Sequence, residues 1–71
     1  MTIQELYAYI IESYGKRKGW ISDLATTLKI SRDDANYLVY FLGYRRGKEG
    51  LLKSEFQFVS DEGVKAIHAK I

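Results

Sequence analysis

The segment from residue 21 to residue 42, ISDLATTLKISRDDANYLVYFL, constrains the fold most, because it contains two helix starts close together. Ser22 and Ser31 are each typical of a residue that caps a helix N-terminus, and Asp34 follows Ser31 as in a capping box. The apolar residues after the two caps recur at helical spacing and are Leu24, Ala25, Leu28, Ala35, Leu38, Val39 and Leu42. Two amphipathic helices joined only by the turn at 29–30 must cross steeply and share a small core. The segment therefore predicts a helix-turn-helix, in which the first helix braces the second.

Further helices are predicted at both ends of the chain. Thr2 and Glu5 form a Thr-x-x-Glu capping box, and Gly15 offers a C-cap for the first helix. The apolar residues of that helix are Ile3, Leu6, Tyr7, Ile10, Ile11 and Tyr14. Ser60 is expected to cap the last helix, whose apolar residues are Val64, Ile67 and Ile71. The single histidine, His68, is expected at the surface or at the edge of this helix.

A pattern of apolar, small and capping residues extends over nearly the whole chain. In the helix-turn-helix it comprises Ile21, Leu24, Ala25, Leu28, Ile30, Ser31, Ala35, Val39 and Leu42. It continues through Gly50-Leu51-Leu52 and residues 56–63, FQFVSDEG. This pattern resembles that of the winged-helix family of DNA-binding domains. The resemblance implies an α+β, mostly α fold for one domain of residues 1–71: a winged helix-turn-helix with a three-helix core, a small β-hairpin wing and a C-terminal helix.

The resemblance also implies where the strands lie. The wing strands are expected at 51–52 and 56–59, with their turn at 53–55. Trp20 and Ile21 are expected to supply the short extra strand that winged helices place before the motif. For Trp20 itself, a structural role as a core or edge aromatic is favoured over a functional one.

The second motif helix departs from the family in its length. Gly50, which begins the wing, lies about one helical turn later than the family spacing implies. The helix therefore either runs one turn further, through residues 43–46 to Gly47, or frays at Gly43 into a longer loop. Both alternatives place Arg45 and Arg46 near the base of the wing.

Composition limits the classes of function. The 71 residues include no Cys and one His, so neither a disulfide framework nor a His-based metal cluster is expected. The paired carboxylates at 33–34 and 61–62 lie in the first turns of predicted helices, where the helix dipole explains them. We therefore expect no enzyme, cofactor, metal or small-molecule ligand. The absence of a targeting segment or a long apolar run predicts a cytoplasmic protein without a membrane partner. So short a chain buries little surface, which favours a homodimer.

DNA binding needs an element that enters the major groove, side chains that reach base edges, and flanking cations. The net charge is only +2, but Lys and Arg are concentrated at 16–18 and 45–48. The residues of helix 32–46 expected to read bases are Arg32, Asp33, Asn36, Tyr37 and Tyr40. The residues expected to contact phosphates are Lys16, Arg17, Lys18, Arg45, Arg46, Lys48 and Lys53. The sequence thus predicts a sequence-specific double-stranded DNA-binding protein, a small transcriptional regulator that inserts helix 32–46 into the major groove.

A second hypothesis assigns the fold to protein interaction or assembly. Tyr37, Tyr40, Phe41 and Tyr44 follow one another closely, and several of them must be exposed if the leucines of this helix point inward. Tyr-rich patches are typical of interface cores. A positive stripe that joins the two basic segments beside Arg32 favours DNA, whereas an aromatic patch remote from those segments favours a protein partner.

Overall fold

The computed structural model describes residues 1–53 and 58–71 and has an α+β, mostly helical architecture. Within these ranges, four helices and one two-stranded antiparallel sheet are present. In chain order the elements are α1 (Ile3–Tyr14), α2 (Trp20–Leu28), α3 (Arg32–Phe41), β1 (Tyr44–Gly47), β2 (Gly50–Lys53) and α4 (Asp61–His68). The prediction of a mostly helical α+β fold is thereby confirmed.

The first helix begins as its capping box predicts. The Thr2 hydroxyl accepts a hydrogen bond from the Glu5 amide at 3.1 Å, and the Glu5 carboxylate accepts one from the Thr2 amide at 3.4 Å. Gly15 follows the last turn and donates its N–H to the Ile11 carbonyl at 2.8 Å. Its φ of −71° is an ordinary value, so Gly15 is not required here for a left-handed cap.

The second helix starts earlier than predicted. Gly19, with a φ of 76°, is its N-cap, and Ser22 lies inside the first turn. Trp20 and Ile21 are therefore helical, and the predicted extra strand at these residues is wrong. The physical reason is burial: the left-handed Gly19 turns the chain so that Trp20 and Ile21 both enter the core, each 2% exposed. The expected structural role of Trp20 as a core aromatic is confirmed.

The third helix has the predicted start but a different end. The Ser31 hydroxyl accepts from the Asp34 amide at 3.1 Å, whereas the Asp34 carboxylate accepts from Lys70 at 3.1 Å, so only half of the capping box forms. The helix ends at Phe41, and Gly43 follows with a φ of 85°. The predicted helix 32–46 is therefore wrong beyond residue 41, because the left-handed Gly43 turns the chain out of the helix.

The hairpin lies earlier in the chain than the predicted wing. β1 pairs with β2 in a register that joins Tyr44 to Lys53 and Gly47 to Gly50, with a turn at 48–49. The strand predicted at 51–52 lies within β2, but the turn predicted at 53–55 is wrong at Lys53, which is a strand residue. Residues 54–57 of the predicted turn and second strand lie outside the described residues. Phe58 is not in a strand and Val59 forms a single bridge with Leu42, so the wing strand predicted at 56–59 is wrong at 58–59.

The core joins the four helices to the hairpin. Its buried residues are Tyr7, Ile11, Trp20, Ile21, Leu24, Ala25, Ala35, Leu38, Val39, Tyr44, Val64 and Ile67. Ala35 of α3 is completely buried, as predicted. Ser60 caps α4 by accepting from the Gly63 amide at 3.0 Å. Leu6 and Ile71 of the predicted apolar stripes are instead exposed, at 41% and 48%, and Ile71 lies beyond the end of α4.

Candidate nucleic-acid interface

The outward face of α3 carries the residues predicted to read bases. Arg32, Asp33, Tyr37 and Tyr40 are exposed, and Asn36 is partly buried. They face outward because Ala35, Leu38 and Val39 occupy the opposite, buried side of the same helix. All charged residues of α3 lie in its first turn, so the rest of the helix presents only an amide and phenol groups.

Four aromatic rings, from Tyr37, Tyr40, Phe41 and Phe58, form a contiguous group that we call the aromatic cluster. Tyr40 stacks on Phe58 with ring centroids 5.0 Å apart and an interplanar angle of 11°. Tyr37 stacks on Phe41 at 5.8 Å and 19°. Tilted contacts of about 6 Å join Phe41 to Tyr40 and to Phe58. Because each exposed tyrosine ring stacks against a phenylalanine ring, the positions of both tyrosine rings are restricted.

The opposite side of Phe41 packs on α4. A Cβ atom added at Gly63 would lie 2.6 Å from Cδ2 of the Phe41 ring, so only glycine allows this approach. A shallow apolar groove runs beside this contact, and its lining includes Tyr37, Ala66 and Ile67. The aromatic cluster is thus fixed to α4 as well as to α3.

The two basic segments of the sequence meet in space. The Leu51 amide of β2 donates to the Gly15 carbonyl at 2.8 Å, which brings the hairpin against the segment between α1 and α2. A cleft between them is lined by Lys18, Arg46 and Lys48 together with residues 19–21 and Gly47. We call this site the basic cleft. Its lining within residues 1–53 and 58–71 contains three cations and no acid, and the cations come from two distant segments of the sequence.

The other predicted phosphate contacts lie around this cleft in different surroundings. Lys16 lines a neighbouring cleft that also contains Glu12, Glu49 and Lys48, so acids offset the charge of Lys16 and part of that of Lys48. Arg17 forms an exposed ion pair with Asp23. Arg45, like Arg46, lies on a strand and not in a loop, and both are exposed. Lys53 is exposed at the far end of β2.

A buried tyrosine attaches the hairpin to α1. The Tyr44 hydroxyl donates to the Glu12 carboxylate at 2.6 Å, across the junction between β1 and α1. Burial, and then the hydrogen bond and negative charge of Glu12, raise the pKa of Tyr44 to about 12. The neutral phenol is therefore the form that this junction stabilises.

A second tyrosine joins α1 to α4. The Tyr7 hydroxyl and Nδ1 of His68 share a hydrogen bond of 2.5 Å, and the two rings meet edge to face. Burial raises the pKa of the Tyr7 hydroxyl. His68 was expected at the surface or edge of its helix; it is exposed and at the same time makes this contact.

Sequence reasoning missed two features of the site. It placed Arg45 and Arg46 on a helix or in a loop, although Gly50 occupies the fourth position of the turn 47–50, where glycine is favoured. It also did not include Phe58 in the aromatic cluster, and no local signal in the sequence links that residue to Tyr40. The structure joins the two basic segments, but Arg32 lies at the opposite end of α3 from the hairpin, so only part of the arrangement expected to favour DNA is present.

In residues 1–53 and 58–71, no group of three or more potential metal ligands occurs. Within the same residues, each helix is too short or too polar to cross a bilayer. Comparison with protein-family models, curated proteins and solved structures finds no match to this chain.

Proposed function

We propose that this protein is a winged helix-turn-helix domain that binds double-stranded DNA, with α3 in the major groove and the hairpin as the wing. The observation that carries the proposal is the basic cleft, in which Lys18, Arg46 and Lys48 come together and, among the residues that the structure describes, no acid belongs to the lining. Helix α3 is exposed along one face and ends at Phe41. The groove-reading segment is therefore residues 32–41, shorter than the sequence alone predicts. The proposed biological role is regulation of transcription.

The DNA contacts divide into two classes. Lys18, Arg46 and Lys48 are cations without base-reading geometry, so they hold phosphates of any duplex. Arg32 and Asn36 lie on the exposed side of α3, and their side chains match guanine and adenine edges respectively. Asp33 accepts a hydrogen bond from cytosine but repels phosphates, which favours moderate affinity.

Salt titration of binding to a random-sequence duplex tests the proposal. Each lost phosphate contact reduces the slope of log K against log salt by about 0.9. We expect Arg46→Ala to weaken binding to all sequences alike and to reduce the slope by about one unit. Arg32→Ala and Asn36→Ala should instead change which sequences bind best, at about 1–3 kcal/mol for each bidentate contact.

A matched control distinguishes the effect of the basic cleft on DNA binding from the effect of net charge. Lys65 is exposed on α4 and is not part of the cleft lining, so Lys65→Ala removes the same charge elsewhere. This variant should leave the salt slope nearly unchanged. Equal slopes for Arg46→Ala and Lys65→Ala, or no duplex binding at low salt, would refute the groove-reading proposal.

The aromatic cluster supports a second candidate function, a protein-interaction or assembly module. Tyr37, Tyr40 and Phe58 are each about half exposed, and the apolar groove of α4 continues their surface. Exposed tyrosines next to an apolar groove are typical of hot spots in protein interfaces. If no duplex binds at low salt, the aromatic cluster becomes the site to test.

A further inference from the structure

The part of α3 beyond its first turn offers little charge to a ligand. Its residues from Ala35 to Phe41 carry no ionisable acid or base apart from the phenols of Tyr37 and Tyr40. Asn36 is the one amide in that stretch, and Tyr37 and Tyr40, which follow it by one and four residues, are both exposed. This half of the helix therefore suits a surface that combines hydrogen-bonding groups with apolar ones, and not a row of phosphates.

Both tyrosine rings are restrained and yet accessible. Tyr37 is 57% exposed and Tyr40 is 50% exposed, while the stacked rings of Phe41 and Phe58 support them from behind. A restrained ring loses little conformational entropy when its free surface is covered. The aromatic cluster thus presents two preorganised apolar surfaces, the exposed faces of the Tyr37 and Tyr40 rings.

The major-groove edge of DNA has one apolar group, the C5 methyl of thymine, beside the hydrogen-bonding groups of its adenine partner. Asn36 matches the adenine edge. Tyr40 lies one helical turn further, about 6 Å along the axis, and Tyr37 is the next residue in the chain. This distance corresponds to about two base steps of 3.4 Å. With Asn36 on an adenine, the spacing between Asn36 and the tyrosine rings is therefore comparable with the distance to thymine methyls of the same or neighbouring pairs.

We propose that Tyr37 and Tyr40 recognise thymine methyl groups next to an adenine held by Asn36, so that the ligand class is A·T-rich duplex DNA. This inference rests on the proposed insertion of α3 into the major groove. It assigns the aromatic cluster a direct role in sequence preference.

Replacement of thymine by deoxyuridine tests the inference, because it removes only the methyl group. Affinities are measured for an A·T duplex of about 20 base pairs, its deoxyuridine counterpart and a G·C duplex at one salt concentration. Burying one methyl-sized group corresponds to about a fourfold change in affinity. With two rings in contact, we expect the thymine duplex to bind roughly 4- to 15-fold more tightly than the deoxyuridine duplex.

Protein variants locate the contact. The double substitution Tyr37→Ser and Tyr40→Ser should reduce the thymine-to-deoxyuridine ratio to about one and leave the salt slope unchanged. Tyr9, which is 67% exposed on α1, provides the matched control, and Tyr9→Ser should keep the wild-type ratio. A ratio that persists in the double variant would overturn the assignment to these two rings.

The remaining outcomes distinguish this inference from the function on which it rests. If wild-type protein binds thymine and deoxyuridine duplexes equally, methyl recognition is refuted while duplex binding stands. If none of the duplexes binds at low salt, both fail. 5-Methylcytosine carries the same methyl opposite guanine. Because Asn36 requires adenine, methylating the cytosines of the G·C duplex should not raise its affinity, and a gain equal to that of thymine would overturn the preference for A·T pairs.

Discussion

Substitution of Gly15 by alanine tests how the hairpin packs on α1. An added Cβ atom would lie 2.5 Å from Cβ of Leu51 and 3.0 Å from the Ile11 carbonyl oxygen. Neither atom belongs to the flexible end of a side chain, so the hairpin itself must move. The φ of −71° suits alanine, and the backbone effect alone would stabilise the protein by about 0.4–1 kcal/mol. Overpacking costs about 1–3 kcal/mol, and we expect a net destabilisation of about 1–2 kcal/mol.

Urea unfolding followed by circular dichroism measures this change, together with a double-mutant cycle. Leu51→Gly removes the opposing Cβ atom, so the combination Gly15→Ala with Leu51→Gly should recover about 1 kcal/mol relative to the sum of the single changes. In a domain of this size, each 1 kcal/mol also shifts Tm by about 4–8 °C. A Gly15→Ala protein that is more stable than wild type, or a coupling energy near zero, would refute the packing of β2 against α1.

Three further predictions concern stability and assembly. The pKa of Tyr44 is raised to about 12 in the folded protein, from about 10 in the unfolded chain. The free energy of unfolding should therefore fall by about 2 kcal/mol as pH rises from 10 to 12. In urea unfolding, Tyr44→Phe should show a smaller fall over the same pH range. Ala35→Leu should lower the free energy of unfolding by about 1–3 kcal/mol, because Ala35 is completely buried; an unchanged urea midpoint would contradict this. The homodimer remains a prediction based on exposed apolar residues such as Leu6 and Ile71, and sedimentation at tens of micromolar that shows only an 8.2 kDa species would exclude it.

Local signals in the sequence predicted the features that depend on neighbouring residues. The Thr2 capping box, the Ser31 and Ser60 caps and the burial of Ala35 were all predicted correctly, because a cap or an apolar stripe involves residues within one or two turns. Contacts between distant segments were not predicted. The Tyr40–Phe58 stack and the Tyr44–Glu12 hydrogen bond arise only when the chain has folded.

The predictions for the hairpin and for the start of α2 were wrong for the same physical reason. Gly43 and Gly19 both adopt left-handed backbone conformations, and each changes the direction of the chain at a helix boundary. The sequence does not show which glycines adopt a positive φ. The resemblance to the family predicted a helix after Gly43 and a strand after Gly19, where the chain instead changes direction. Burial of Trp20 and of Tyr44 then favours the observed arrangement.

Assembly of the basic cleft has a thermodynamic consequence, because Lys18 belongs to one segment and Arg46 and Lys48 belong to another. The cleft exists only while the hairpin is docked, and the Leu51–Gly15 hydrogen bond is part of that docking. Local opening of the hairpin would separate two cations from the third without unfolding the helices. By linkage, a polyanion that binds the closed form must reduce the frequency of such openings. A polyanion that binds the closed form more tightly should therefore slow hydrogen exchange at the Leu51 amide to a greater extent.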